Sequence, residues 1–204
     1  MEISGEGAEG VPQANELSPS SIDLILRARQ GEGAAWEALV RQHQEPVFRL
    51  AYLFLGDSDE AEDIAQETFI RAFQALERYD TSRPMRPWLF SIAANMARNR
   101  RRSIGRFLNA MQKLLREEPQ LIRGEASDQE QRLQSQALWE AVRRLGLKDQ
   151  EIVYLRFFLE LSVEETAQSL GVAAGTVKSR LYRALERLRQ VIEREYPELK
   201  DLWV

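Results

Sequence analysis

The chain has 204 residues, 44% hydrophobic and 29% charged, so it can bury one large core or two modest ones, and collagen-like or wholly disordered readings are excluded. A formal net charge of −4 excludes a uniformly basic nucleic-acid binder, but not a chain that alternates cationic and anionic segments. Cysteine is absent, which removes disulfides, thiolate nucleophiles and cysteine zinc sites and fits a reducing compartment.

Residues 1–18 are rich in Gly, Glu, Pro and Ser and contain Glu2, Glu6, Glu9 and Glu16 but no Lys or Arg. That composition predicts a disordered tail and lacks the positive start and apolar stretch of a secretory signal. No apolar run approaches the ~20 residues of a membrane span. The expectation is a cytoplasmic protein that is not inserted in a membrane.

From residue 19 onward, apolar residues recur at three- and four-residue spacing and no stretch alternates as a strand does, so the chain is predicted to be all-α. The divisions are a helical domain over 19–106, a flexible polar linker over 107–136 containing Pro119 and Gly124, a second helical domain over 137–196, and a tail over 197–204. Charge follows these divisions. Six acids and no base lie between Asp57 and Glu67, nine bases and no acid between Thr81 and Arg116, and five bases against Glu186 alone between Val172 and Arg189.

Asp57 and Glu60 form an N-cap pair for a helix running to about Leu76. Ala61, Ile64, Ala65, Thr68, Phe69, Ala72 and Phe73 share its apolar half, and Asp63, Gln66, Glu67, Ile70 and Gln74 the other. An isoleucine amid acids and amides suggests a protein-docking face. Capping of the helix N-terminus also accounts for some of the acids. A calcium loop is excluded, because Glu62 stands where the loop needs Gly and Thr68 where it needs Glu.

Next comes RYDTSRPMRPWLFSIAANMARNRRRS, in which Pro84 and Pro87 fix a loop and Pro87 opens a helix. Leu89, Ala93, Trp88, Ile92 and Met96 form its core stripe, while Ser91, Asn95, Arg98 and Arg102 fall within about 60° of one another on another side. A loop carrying Tyr79 beside such a helix suits an unstacked base of single-stranded nucleic acid. Tyr79 equally suits a place in the core.

In the second domain, Ser162 followed by Glu165 reads as a capping box, Gly171 as a left-handed helix end and Val172 as its apolar plug. A second helix follows from Ala173–Thr176, the pattern of a DNA-reading helix-turn-helix. Placed at 100° intervals, Leu181, Ala184, Leu185 and Leu188 fall with Val177 on the core side, and Thr176, Ser179, Arg180, Arg183 and Arg187 fill an arc of about 100° opposite. Guanidinium forks and short hydroxyls read guanine edges and anchor phosphates, and Lys178 and Arg189 flank them within reach of the backbone. The only histidine, His43, has no helical partner at four-residue spacing, and no phosphate loop or nucleophile elbow is present, so neither catalysis nor a cofactor or metal is expected.

Three motifs, DSDEAEDIAQETFIRAFQAL, RPWLFSIAANMARNRRR and SVEETAQSLGVAAGTVKSRLYRALERLR, resemble those of the bacterial RNA polymerase sigma-70 family, specifically the small extracytoplasmic-function (ECF) group, in that family's order and spacing. The resemblance implies a sigma region 2 helical bundle joined by the linker to a sigma region 4 helix-turn-helix. It implies a transcription initiation factor, not an enzyme, that binds core RNA polymerase at its clamp helices and flap and helps melt promoter DNA. Asp63, Gln66, Glu67, Ile70 and Gln74 would dock on the clamp helices. Tyr79, Arg83, Arg86, Ser91, Asn95, Arg98 and Arg102 would read the −10 element, and Thr176, Lys178, Ser179, Arg180, Arg183 and Arg187 the −35 element. An anti-sigma protein is a further partner of many relatives. The chain departs from the pattern at Ala173, where a capping serine is frequent, at Leu145–Gly146–Leu147, where Leu-Pro is frequent, and at Asn99, where Asp is frequent. The rival reading is a LuxR-like regulator acting without polymerase, which accounts for the second domain but not for the docking face or the Pro84–Arg102 block.

Overall fold

The computed structural model describes residues 19–112, 129–197 and 199, with side chains over 21–103, 136–197 and 199. Every described element is helical: α1 (Pro19–Arg29), α2 (Gly33–Leu55), α3 (Ser58–Ala75), a 3-10 turn (Leu76–Arg78), α4 (Met85–Gln112), α5 (Gln129–Arg144), α6 (Leu147–Val153), a π segment (Tyr154–Phe158), α7 (Val163–Leu170) and α8 (Ala174–Glu195). The first four helices pack on one another, and α5 to α8 form the second group.

The chain's own end signals set the boundaries. Asp57 accepts the Glu60 N–H at 2.9 Å, which starts α3, and Gly56, at φ 72°, ends α2 by donating to the Tyr52 carbonyl at 2.8 Å. α3 stops one residue short of the expected Leu76, which enters the 3-10 turn. Ser162 and Glu165 form the full capping box: Ser162 Oγ accepts the Glu165 N–H at 3.1 Å, and Glu165 Oε2 accepts the Ser162 N–H at 2.8 Å. Gly171 ends α7 at φ 64°. A Cβ at Gly171 would meet nothing within 4 Å, so only the left-handed backbone opposes a side chain there. Gly171→Ala is therefore expected to lower stability by about 1 kcal/mol and Gly171→Asn by less, read as urea midpoints. A loss equal for the two would mean that backbone conformation is not what selects glycine.

Two boundaries differ from expectation. α4 continues through the predicted linker start at 107 to Gln112, because no proline interrupts it after Pro87, and α5 begins at Gln129. Of the expected linker only 113–128 lies outside the described residues, as do the tail over 1–18 and Leu202–Trp203–Val204. Leu199, beyond the expected second domain, is fully buried.

The two groups share one continuous core. Leu50, Phe54, Leu89, Phe90 and Ala93 of the first group and Ile152, Tyr154, Leu155 and Leu161 of the second are all at most 3% exposed. The Phe54 and Tyr154 rings meet edge to face at 5.5 Å across the junction. α7 packs on α4, and the π segment on α2.

His43 sits in this framework as a structural residue. Burial first, and then the Arg86 guanidinium, push its pKa down from 6.5 to about 4. The unfolded chain thus binds a proton that the folded chain refuses, and stability falls as pH drops through this window. Between pH 6.5 and about pH 5 the loss is expected to reach about 2 kcal/mol. His43→Gln should remove this part of the slope in paired urea titrations, and an unchanged slope would show that His43 does not cause it.

Candidate nucleic-acid and protein-docking interfaces

α8 delivers the cationic arc as its spacing dictates. Val177, Ala184, Leu188 and Ile192 are buried, with Leu181 and Leu185 half-buried beside them. Lys178, Ser179, Arg183 and Arg187 are exposed, and Thr176 and Arg180 half-exposed. Within the arc two side chains are tied to the helix backbone: Ser179 Oγ donates to the Thr176 carbonyl at 3.1 Å, and Arg183 Nε donates to the Ser179 carbonyl at 3.1 Å. The Arg183 bond engages Nε rather than the terminal nitrogens of the fork, and the residue is exposed. Arg187 pairs with Asp149 of α6, which ties the far end of the arc to the body of the domain. Ala173 gives α8 no side-chain cap.

On α3, Asp63, Gln66, Ile70 and Gln74 are exposed, and Glu67 is half-buried and ion-paired with Arg71 at 2.7 Å. Ile70 is 52% exposed, and so is Phe73, which sequence periodicity assigns to the core. Phe73 instead lies on the rim, its ring 5.2 Å from that of Trp36. The face is also wider than the sequence suggests. A cavity of about 530 Å³ opens between α3 and α2, with Val40, Gln44 and Phe48 on one wall and Ala65, Gln66, Phe69 and Ile70 on the other. Phe48 stacks on Tyr52, itself 44% exposed, so α2 adds an aromatic edge. The signal for this edge was two aromatics four residues apart on a helix whose core stripe was already filled by Leu39, Val47 and Leu50.

The loop before α4 and the helix itself carry the third set. Tyr79 is 6% exposed, its ring 4.4 Å from Trp88, and its hydroxyl donates to the Arg83 carbonyl. Burial raises its pKa to about 12. Of the two readings of Tyr79, the core is the observed one: a ring sealed against Trp88 offers no face to a base in this conformation. Arg83 is exposed and paired with Asp80 at 3.2 Å. Asn95 and Arg102 are exposed, Asn95 accepts from Arg98, and Ser91 is turned back to donate to the Trp88 carbonyl at 2.7 Å.

Arg86 and Arg98 are occupied by the other domain. Arg86 lies over the Phe90 ring, 5.4 Å from its centre, and donates to the Leu159 carbonyl at 2.8 Å. Burial lowers its pKa, and its Nε is buried without a partner. Arg98 reaches both oxygens of Glu151 at 2.8–2.9 Å, and that carboxylate is only 3% exposed. Desolvation raises the Glu151 pKa against the pull of Arg98. Arg101 donates to Gln150 Oε1 at 2.6 Å, while Gln150 Nε2 donates to the Arg143 and Leu145 carbonyls.

An all-helical chain with a capped helix-turn-helix, a cationic reading helix and a separate apolar docking face is a protein that binds DNA in company with a larger protein. The sequence matches the family model Sigma-70 region 2 over residues 39–107 and Sigma-70, region 4 over residues 135–188. It is 32% identical to the ECF RNA polymerase sigma factor BldN of Streptomyces coelicolor over 89% of this chain and 69% of that one. Two solved complexes are similar in fold at 24% identity. That of CnrH with the cytosolic domain of CnrY has a TM-score of 0.64 and covers 86% of this chain and 99% of that one. That of the Bartonella quintana sigma factor RpoE with the anti-sigma factor NepR has a TM-score of 0.58 and covers 78% and 94%. The chain belongs to the ECF group of the sigma-70 family of RNA polymerase sigma factors. It is a transcription initiation factor that directs core RNA polymerase to promoters, and its fold is that of sigma regions 2 and 4.

Proposed function

We propose that the three surfaces divide this work among named residues. Asp63, Gln66, Glu67, Ile70 and Gln74, with the aromatic edge of α2, dock on the polymerase clamp helices, and the second domain meets the flap. Arg83, Arg86, Ser91, Asn95, Arg98 and Arg102 hold the −10 strand, and the Tyr79 ring supports the loop from below. Thr176, Lys178, Ser179, Arg180, Arg183 and Arg187 read the −35 element in the major groove. The domains behind these roles are the helical groups that end at Gln112 and begin at Gln129, joined through residues 113–128.

The observation that carries this reading is the presence, in one chain, of an apolar docking face around Ile70 and a cationic arc on α8, each exposed and each on its own domain. Either reader alone covers too little DNA to select a promoter. Docking both on one polymerase makes the second contact intramolecular and raises its effective concentration. A strand trapped unpaired by the first domain then converts binding energy into local melting. No bond is made or broken by this chain, and it works in the cytoplasm, where polymerase is. Among the described residues no helix is long and apolar enough to cross a membrane.

An anti-sigma protein is a fitting regulator, as supported by the fold shared with a sigma factor solved in such a complex. A regulator acting without polymerase is not favoured, because it leaves the Ile70 face without a task. Run-off transcription with core polymerase on genomic fragments tests the whole reading. Defined new start sites that depend on the chain are expected, and start sites unchanged by its addition would sink it.

A further inference from the structure

Charge divides α8 along its length. From Ala174 to Arg183 it carries Lys178, Arg180 and Arg183 and no acid. None of the three is bonded to a carboxylate among the described residues, and Glu151, whose charge reaches Arg180, is held by Arg98 instead. From Arg187 onward every cation of the helix is neutralised: Arg187 by Asp149, Arg189 by Glu193 at 2.8 Å and Arg194 by Glu195. Glu186 stands at the division.

Glu186 is exposed, and on the helix wheel it falls within about 20° of Ser179, so it shares the reading side. The cations one turn away are engaged elsewhere, Arg189 with Glu193 and Arg183 through Nε with the Ser179 carbonyl. Glu193 raises the Arg189 pKa first, by hydrogen bond and charge, and Glu186 by charge alone. A carboxylate left free on a surface that approaches phosphates opposes binding. Among the described residues no bond within the fold offsets that cost.

The dimensions of the helix say when the cost is felt. α8 has 22 residues and is about 33 Å long, whereas the major groove is about 12 Å wide and about 8.5 Å deep. The stretch from Ala174 to Arg183 covers about 15 Å and suits the groove. Glu186 lies about 18 Å from the helix start, beyond the groove when α8 enters end-on. Attraction to phosphates alone favours a helix lying along the backbone, and in that pose Glu186 is driven against phosphate.

We infer that Glu186 is a specificity-determining residue of the −35 reader. Its carboxylate penalises the flat, sequence-independent contact of α8 with the backbone and spares the end-on contact in which Thr176, Ser179, Arg180 and Arg183 reach base edges. The inference rests on the −35 assignment proposed above.

The test titrates reconstituted holoenzyme onto two duplexes, a promoter recovered by run-off mapping and the same duplex with its −35 element scrambled. Glu186→Gln should tighten binding to the scrambled duplex about fivefold and steepen its salt slope by about one. Affinity for the intact promoter should change by less than about twofold. An equal gain on both duplexes, or no gain on the scrambled one, overturns the inference. Glu186→Gln combined with Gln136→Glu, at an exposed position of α5, restores net charge but not its place. That chain should stay as unselective as the single variant, and a return to parental discrimination would show that net charge, not Glu186, sets it. A parent holoenzyme that does not distinguish the two duplexes overturns the −35 assignment itself, and the inference with it.

Discussion

Replacing Ile70 with Asp is expected to weaken binding to core RNA polymerase by about 30-fold or more, equivalent to about 2 kcal/mol, without loss of fold. Ile70 is 52% exposed at the mouth of the cavity between α2 and α3, so the free protein loses little packing when the side chain changes. Exposed substitutions of this kind ordinarily move stability by about half a kcal/mol. In the docked state the same position is desolvated against a partner, and a carboxylate there loses its water without gaining a counter-charge. Glu62 and Glu45, also on the cavity wall, add like charge nearby. Anisotropy titration of labelled chain with core enzyme, beside a thermal melt by circular dichroism, separates the two effects. Equal affinity for the variant and the parent would remove Ile70 from the interface.

Arg183→Ala should cost about 1–3 kcal/mol on a cognate promoter, with polymerase affinity unchanged. The residue is exposed on α8, and the bond from Nε to the Ser179 carbonyl presets the fork before DNA arrives. A preset fork loses less side-chain entropy on binding, so its removal is costly for a surface residue. Arg180→Ala is expected to fall in the same range. Lys178→Ala, at a flank suited to phosphate, should instead weaken binding evenly across sequences and lower the salt slope by about one. Loss of polymerase affinity in the arginine variants would contradict the division of labour between α3 and α8.

Much of this was legible in the sequence because it rests on local chemistry. The Ser162–Glu165 box, the Gly171 end and the Asp57 cap involve residues within a few positions of one another, and all three form as their spacing implies. The α8 wheel succeeds for the same reason, since a regular helix converts spacing directly into direction. What escaped reading depends on partners far along the chain. For Tyr79 the sequence leaves a base-stacking place and a core place open, and the packing of Trp88 against its ring decides for the core. Phe73 was counted as core because it falls on the apolar half of α3, but the opposing surface does not extend far enough to cover it. Glu151 gave no sign at all: an acid that closes the polar run Lys148–Asp149–Gln150 looks like part of a solvated face until Arg98, 53 residues earlier, is found against it.

The π segment at Tyr154–Phe158 has a consequence for how this chain tolerates change in length. A π turn holds one residue more than an α turn, and one residue corresponds to about 100° of rotation. Deleting a single residue there would restore a regular α turn and leave Leu159 and Leu161, both buried, facing the core, whereas a deletion in the regular turns of α6 would swing them by about 100°. The π segment is thus the one described place where the chain can lose a residue without redirecting α7 and α8. A relative one residue shorter in this stretch would still aim its reading helix the same way, whereas one shortened within α6 would not.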